Sequence, residues 1–92
     1  MVVYVVCYDM SDDGIREQVA TVLLGYGNRV QYSVFEVVIH SPSELQELCS
    51  QLQAVADENT RIRLYRLCER CRQAARDLVG QPLVEFPAVV IV

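Results

Sequence analysis

Residues 2–8 (VVYVVCY) constrain the fold more than any other part of this sequence, because they form an unbroken run of β-branched, aromatic and small apolar side chains. A strand that shows one face to water alternates apolar with polar residues, so a run without alternation predicts a central strand buried on both faces. Asp9 stands where that run ends. A strand of this kind must be covered on each side, yet a chain of 92 residues suffices for only one core of two layers. Residues 1–92 are therefore expected to form a single domain.

After Asp9, the residues Ser11, Asp12 and Asp13 supply a helix start, with carboxylates near the positive end of the helix dipole. Ile15, Val19, Val22, Leu23 and Tyr26 then recur at helical spacing, and Gly27 supplies a stop. Residues 29–40 are a second β region, in which Val34, Val37 and Val38 cannot all share one face. A bulge or kink near Tyr32 and Ser33 is expected to divide it into a short strand and a longer one. Ser41-Pro42-Ser43-Glu44 is a capping box with proline at the first helical position, and Leu45, Leu48, Cys49, Leu52 and Val55 form the stripe to be buried behind it. Residues 61–67 alternate basic with apolar side chains, which predicts a strand with one arginine-bearing face. Residues 69–78 predict a short helix on Cys71, Ala74, Ala75 and Leu78, ended by Gly80. Residues 88–92 read as an apolar terminal strand, which needs an edge of its own sheet or of another subunit.

The order strand, helix, strand, strand, helix, strand is the split βαβ pattern of a ferredoxin-like α+β sandwich, here βαββαβ with an additional C-terminal strand. Helices on one side of an antiparallel sheet leave the other side free, so dimerisation through the sheet is the expected way to bury it.

Composition narrows the functional classes. No apolar run reaches the length of a membrane-spanning helix, and residues 2–6 lack the basic flank of a signal peptide. A cytoplasmic protein without membrane association is expected, with its four cysteines reduced. The formal charge of −4 argues against a surface that attracts nucleic acid everywhere, since such affinity comes from neutralising phosphates. Distribution softens this: there is no lysine, and six of the eight arginines lie between Arg61 and Arg76. Arginine offers a planar fork of donors suited to phosphate. The plainer reading of such a cluster is a solvated surface.

A family resemblance runs through these segments: Val5-Val6-Cys7-Tyr8-Asp9, Ser11-Asp12-Asp13 with Arg16, Gly25-Tyr26-Gly27, the stretch Arg29-Val30-Gln31-Tyr32-Ser33-Val34-Phe35-Glu36, and Arg61-Ile62-Arg63-Leu64-Tyr65. In this order they resemble the CRISPR-associated protein 2 family along the whole chain. The resemblance implies a homodimer whose C-terminal strands complete the partner subunit's sheet. It also implies assembly with the CRISPR integrase, CRISPR-associated protein 1, which inserts DNA spacers into the CRISPR array. It assigns Asp9 as metal ligand and catalytic carboxylate, with Mg2+ or Mn2+ shared between the two Asp9 residues of the dimer. More weakly it carries nucleic-acid contact to Tyr8, Arg16, Arg29 and Phe35. The absence of lysine, Gln18 where relatives often carry a second basic residue, and the acidic total depart from the family pattern.

Each candidate has a plainer role to set beside the functional one. Asp9 could cap its loop or the following helix, although a carboxylate at the end of a buried strand is costly unless paired, hydrogen-bonded or bound to a cation. One carboxylate is too little for magnesium, so twofold symmetry would have to bring two together, with waters and substrate phosphate completing the octahedron. Phe35 could stack on a base or sit in the core. Arg61, Arg63 and Arg66 suit a phosphate-facing strand or a solvated edge. Cys68-Glu69-Arg70-Cys71 resembles half of a zinc site, whereas structural zinc takes four ligands. His40 reads as a loop residue, and Ser33 has no base beside it. Three functions remain open: a scaffold that captures and inserts spacer DNA, a metal-dependent endonuclease cutting RNA or DNA phosphodiesters, and a regulatory domain for a small molecule.

Overall fold

The computed structural model describes residues 1–80, so the expected terminal strand at residues 88–92 lies outside the described residues. Seven elements follow in order: β1 (Val2–Asp9), α1 (Asp13–Leu24), β2 (Gly27–Gln31), β3 (Val34–Ile39), α2 (Pro42–Val55), β4 (Arg61–Leu67) and α3 (Glu69–Ala74). The strands form one antiparallel sheet in the order β2-β3-β1-β4, which is the ferredoxin-like arrangement the element order predicts.

Each helix begins where its capping residue permits. Asp12 caps α1, its carboxylate accepting from the Ile15 amide at 2.9 Å. Ser41 caps α2 by accepting from the Glu44 amide at 3.1 Å, and the Glu44 carboxylate accepts from the amide of His40 at 2.8 Å. The return bond of this capping box therefore reaches one residue before the cap. The cap of α1 at its other end is Gly25. Gly27 already belongs to β2 and is needed for close approach, because a Cβ there would meet the Glu36 carbonyl oxygen at 1.9 Å and the Val37 Cα at 2.6 Å.

The second β region divides as expected. Tyr32 and Ser33 make the turn, with Ser33 at φ 63°, and the β2–β3 register shifts between Arg29 and Gln31. A bulge and a tight turn thus share the work of reversing the chain.

The two long helices cover one face of the sheet. Val6, Tyr8, Phe35, Val37 and Ile39 meet Val19, Ala20 and Leu23 of α1 and Leu48 and Leu52 of α2 in one core. Phe35, Leu23 and Leu48 are fully buried, each worth about 1.5–3 kcal/mol of transfer free energy. On the opposite face Val3 and Val38 pack with Leu67, while Val5 and Cys7 stay half-buried. The expectation that β1 is buried on both faces is thus met by its central position and only partly by its burial.

Helix α3 is shorter than residues 69–78. It stops at Ala74, and Ala75 is extended at ψ 140°. Asp77 competes with the helix: its carboxylate accepts from the Val79 amide at 3.0 Å and its carbonyl from the Gly80 amide at 3.0 Å, closing a turn. Leu78, expected on the buried stripe, is fully exposed.

Candidate functional site

Alternation along the strands decides which side chains share the face that α1 and α2 leave free. In β1 and β4 the pairs Asp9↔Arg61, Cys7↔Arg63 and Val5↔Tyr65 stand opposite each other. Their neighbours Val6, Tyr8, Ile62 and Leu64 belong to the helix-side core, so these pairs point the other way. Asp9, Arg61, Arg63 and Tyr65 thus form one exposed strip at the end and edge of the sheet.

Asp9 ends β1 exposed to solvent, and among the described residues its carboxylate has no hydrogen-bond or ion-pair partner. Arg61 stands across from it in register without an ion pair, its guanidinium donating instead to the Glu58 carbonyl at 3.1 Å. Arg63 donates to the Tyr65 hydroxyl at 2.9 Å, which holds that guanidinium over the face. The sequence alone assigns Tyr65 no role of its own. Its position two residues after Arg63 on an alternating strand is the signal that locates it.

Arg66 does not join this strip. It falls on the opposite face, lining a groove with Tyr4, Ile39 and Leu45, because residues 63 and 66 differ by an odd number along a strand of period two. The expected trio of phosphate-facing arginines is corrected to Arg61 and Arg63.

Phe35 and Tyr8 are also corrected as direct contacts. Phe35 is fully buried, its ring centroid 6.1 Å from that of Tyr8, which is 5% exposed. Neither ring offers a face for a base, because both supply the core beneath β1. Arg29 lies across Phe35 from the solvent side with its guanidinium carbon 5.4 Å from the ring, and it remains exposed.

Arg16 is the residue whose role differs most from the expectation. Its guanidinium donates to the Met10 carbonyl and, at 2.5 Å, to the Asp13 carboxylate, and it lies 5.6 Å from the Tyr32 ring. Its Nε is buried without a partner. The side chain thereby ties the loop after Asp9 to the first turn of α1 and to the β2–β3 turn. Both terminal nitrogens are engaged within the fold, which leaves little to offer a phosphate.

Among the described residues no group of three or more histidine, cysteine, aspartate or glutamate side chains converges as a metal centre. Asp9 brings the oxygen donor that magnesium or manganese takes, exposed and unpaired, but one such donor per chain fits only part of a site. Asp12 is occupied as the cap of α1, and Asp13 by Arg16. The zinc-like spacing of Cys68 and Cys71 gains no further ligand among the described residues. No helix among them is long and apolar enough to cross a membrane.

A four-stranded antiparallel sheet under two helices, with a strand-end carboxylate and arginines on its open face, defines a ferredoxin-like α+β sandwich with a polar edge. The chain belongs to the CRISPR associated protein Cas2 family, whose sequence model matches residues 1–75. It is 42% identical over 92 residues to CRISPR-associated endoribonuclease Cas2 4 of Rhodospirillum rubrum, an alignment covering 96% of this chain and 73% of that one. It is 40% identical over 94 residues to CRISPR-associated endoribonuclease Cas2 3 of Synechocystis sp., across the full length of both. Among solved structures, a chain of a partial Cas6-RT-Cas1–Cas2 complex superimposes with a TM-score of 0.83 at 31% identity, covering 100% of both chains. Streptococcus pyogenes Cas2 at pH 6.5 superimposes with a TM-score of 0.73 at 29% identity, covering 83% of this chain and 98% of that one.

Proposed function

We propose that this chain is a cytoplasmic, dimeric, nucleic-acid-binding scaffold that assembles with the Cas1 integrase to capture spacer DNA and insert it into a CRISPR array. The observation that carries this reading is the full-length superposition on a chain of a Cas1–Cas2 complex. The single domain across residues 1–92 dimerises through its sheet, where the half-buried Val5 and Cys7 await cover. Arg61 and Arg63, on the edge strand β4 at the margin of that dimer face, reach DNA phosphates, with Arg29 as a further exposed contact.

A second reading is favoured by the free Asp9 carboxylate and by the endoribonuclease name of the relatives: metal-dependent cleavage of RNA or DNA phosphodiesters. In a twofold dimer the two Asp9 carboxylates would be the residues to hold Mg2+ or Mn2+. When bound, such an ion would supply charge to offset the phosphate and to acidify a coordinated water. Within the chain, Asp9 supplies the ligand and Arg16 fixes the loop that presents it.

The two tasks separate in one variant. Asp9→Asn keeps the size of the side chain, and the carboxylate makes no bond within the fold, so folding and dimerisation persist. Spacer insertion with the integrase is expected to continue, whereas magnesium- or manganese-dependent cleavage disappears. Loss of insertion by a folded, partner-bound variant overturns the scaffold reading. Unchanged cleavage removes Asp9 from the metal site.

A further inference from the structure

The junction of β4 and α3 carries two thiols that the proposed function leaves unused. Cys68 is the residue between the elements, and its Sγ accepts from the backbone amide of Cys71 at 3.3 Å. That bond brings the backbone of Cys71, one helical turn on, against the Cys68 sulfur. Both residues are exposed, whereas Cys7 and Cys49 are half-buried on β1 and α2. Arg66 stands close enough for its charge to act on Cys68.

We propose that Cys68 and Cys71 form a reversible dithiol–disulfide pair, in which Cys68 is the attacking sulfur and a low-molecular-weight disulfide is the oxidant. The hydrogen bonds from the Cys71 thiol and from the backbone amides, helped by Arg66, hold the Cys68 thiol below its ordinary pKa. The same contact raises the Cys71 thiol, because it is the donor of the pair. The Cys68 sulfur is the one that the fold supplies with a backbone amide donor, which assigns the order of events, since the thiolate is the nucleophile. Cys68 thiolate attacks one sulfur of glutathione disulfide, whose S–S bond breaks and releases one glutathione thiolate. Cys71 then loses its proton to solvent and attacks the Cys68 sulfur of the mixed disulfide, releasing the second glutathione. Two protein thiols are oxidised, and one glutathione disulfide is reduced to two glutathione molecules.

The test uses the full chain with glutathione disulfide as the probe, quenched by alkylation and read by intact and peptide mass. Cys68 and Cys71 are expected to disappear together as an intramolecular disulfide, at least about ten times faster than Cys49 reacts. Cys71→Ser should trap glutathione stably on Cys68, and Cys68→Ser should slow modification of Cys71 to the rate of Cys49. Both substitutions lie at exposed positions, and circular dichroism confirms that the variants are folded. Independent glutathionylation of the two cysteines without a bond between them overturns the proposal. So does a stoichiometric zinc ion that blocks the reaction in the purified protein.

Discussion

Two residues on either side of the sheet show how position converts a charged side chain into a structural or an energetic commitment. Arg16 was legible as a basic residue opening the first helix, but its geometry was not, because the Met10 carbonyl and Tyr32 reach it only through tertiary folding. Arg16→Ala should therefore lower stability by about 1–3 kcal/mol, through an unpaired carbonyl and a loosened loop. Chemical denaturation checks this; an unchanged midpoint would mean that the guanidinium is free for ligand. Glu36 is the opposite case, a carboxylate only 7% exposed on the face away from α1 and α2. Arg76 lines the same cavity yet turns its guanidinium to the carbonyls of Gln73 and Ala75. Burial pushes the Glu36 carboxyl above its ordinary value of 4.5. Below pH 4.5 the group is neutral in folded and unfolded chains alike, and as pH rises through the raised folded value the folded state must either hold its proton or ionise in a dry place. Stability from this group is thus fully present at low pH and lost toward neutrality. Glu36→Gln should stabilise the protein at pH 7 by up to about 1 kcal/mol and make no difference near pH 4. Denaturation at the two pH values decides it.

At the scale of elements, the sequence is most informative where local chemistry alone fixes the outcome. Helix α2 was fully legible because Ser41, Pro42 and Glu44 signal its start and Leu48 and Leu52 its buried side. Ser41→Ala should cost about 1 kcal/mol by removing the side-chain acceptor of the Glu44 amide, with a matching fall in the thermal midpoint; Ser41→Thr should restore most of it. β4 was legible in its alternation, and the same period shows why Arg66 leaves the arginine face. Helix α3 was overextended because periodicity sees Leu78 as a core residue, whereas the Asp77 turn wins the competition for backbone amides. For the candidate site, Asp9 was visible as a strand-end carboxylate. The burial of Tyr8 and Phe35 agrees with the unbroken apolar run of residues 2–8 and with the core alternative for Phe35, whereas the contact roles came from the family resemblance alone.

For the whole molecule, charge and topology act together on nucleic-acid binding. A net charge of −4 supplies no long-range attraction, so binding must come from a few arginines close to phosphates. Counterion release makes such binding fall steeply with salt, by a slope of roughly 0.9 in log K against log salt for each duplex phosphate neutralised. Arg61 and Arg63 share the open face with Asp9, whereas Arg66 lies beside Tyr4 and Leu45 on the other. Replacing Arg61 and Arg63 with alanine should therefore reduce the salt slope by roughly 0.9 for each phosphate no longer neutralised, and weaken all sequences about equally, since phosphates carry no sequence. Arg66→Ala removes one such charge from the other face and should leave the slope unchanged. Titration of duplex DNA at several salt concentrations separates the cases. If Arg66→Ala lowers the slope half as much as the double replacement does, only the number of charges removed matters, and the β4 margin of the open face is not where phosphates sit.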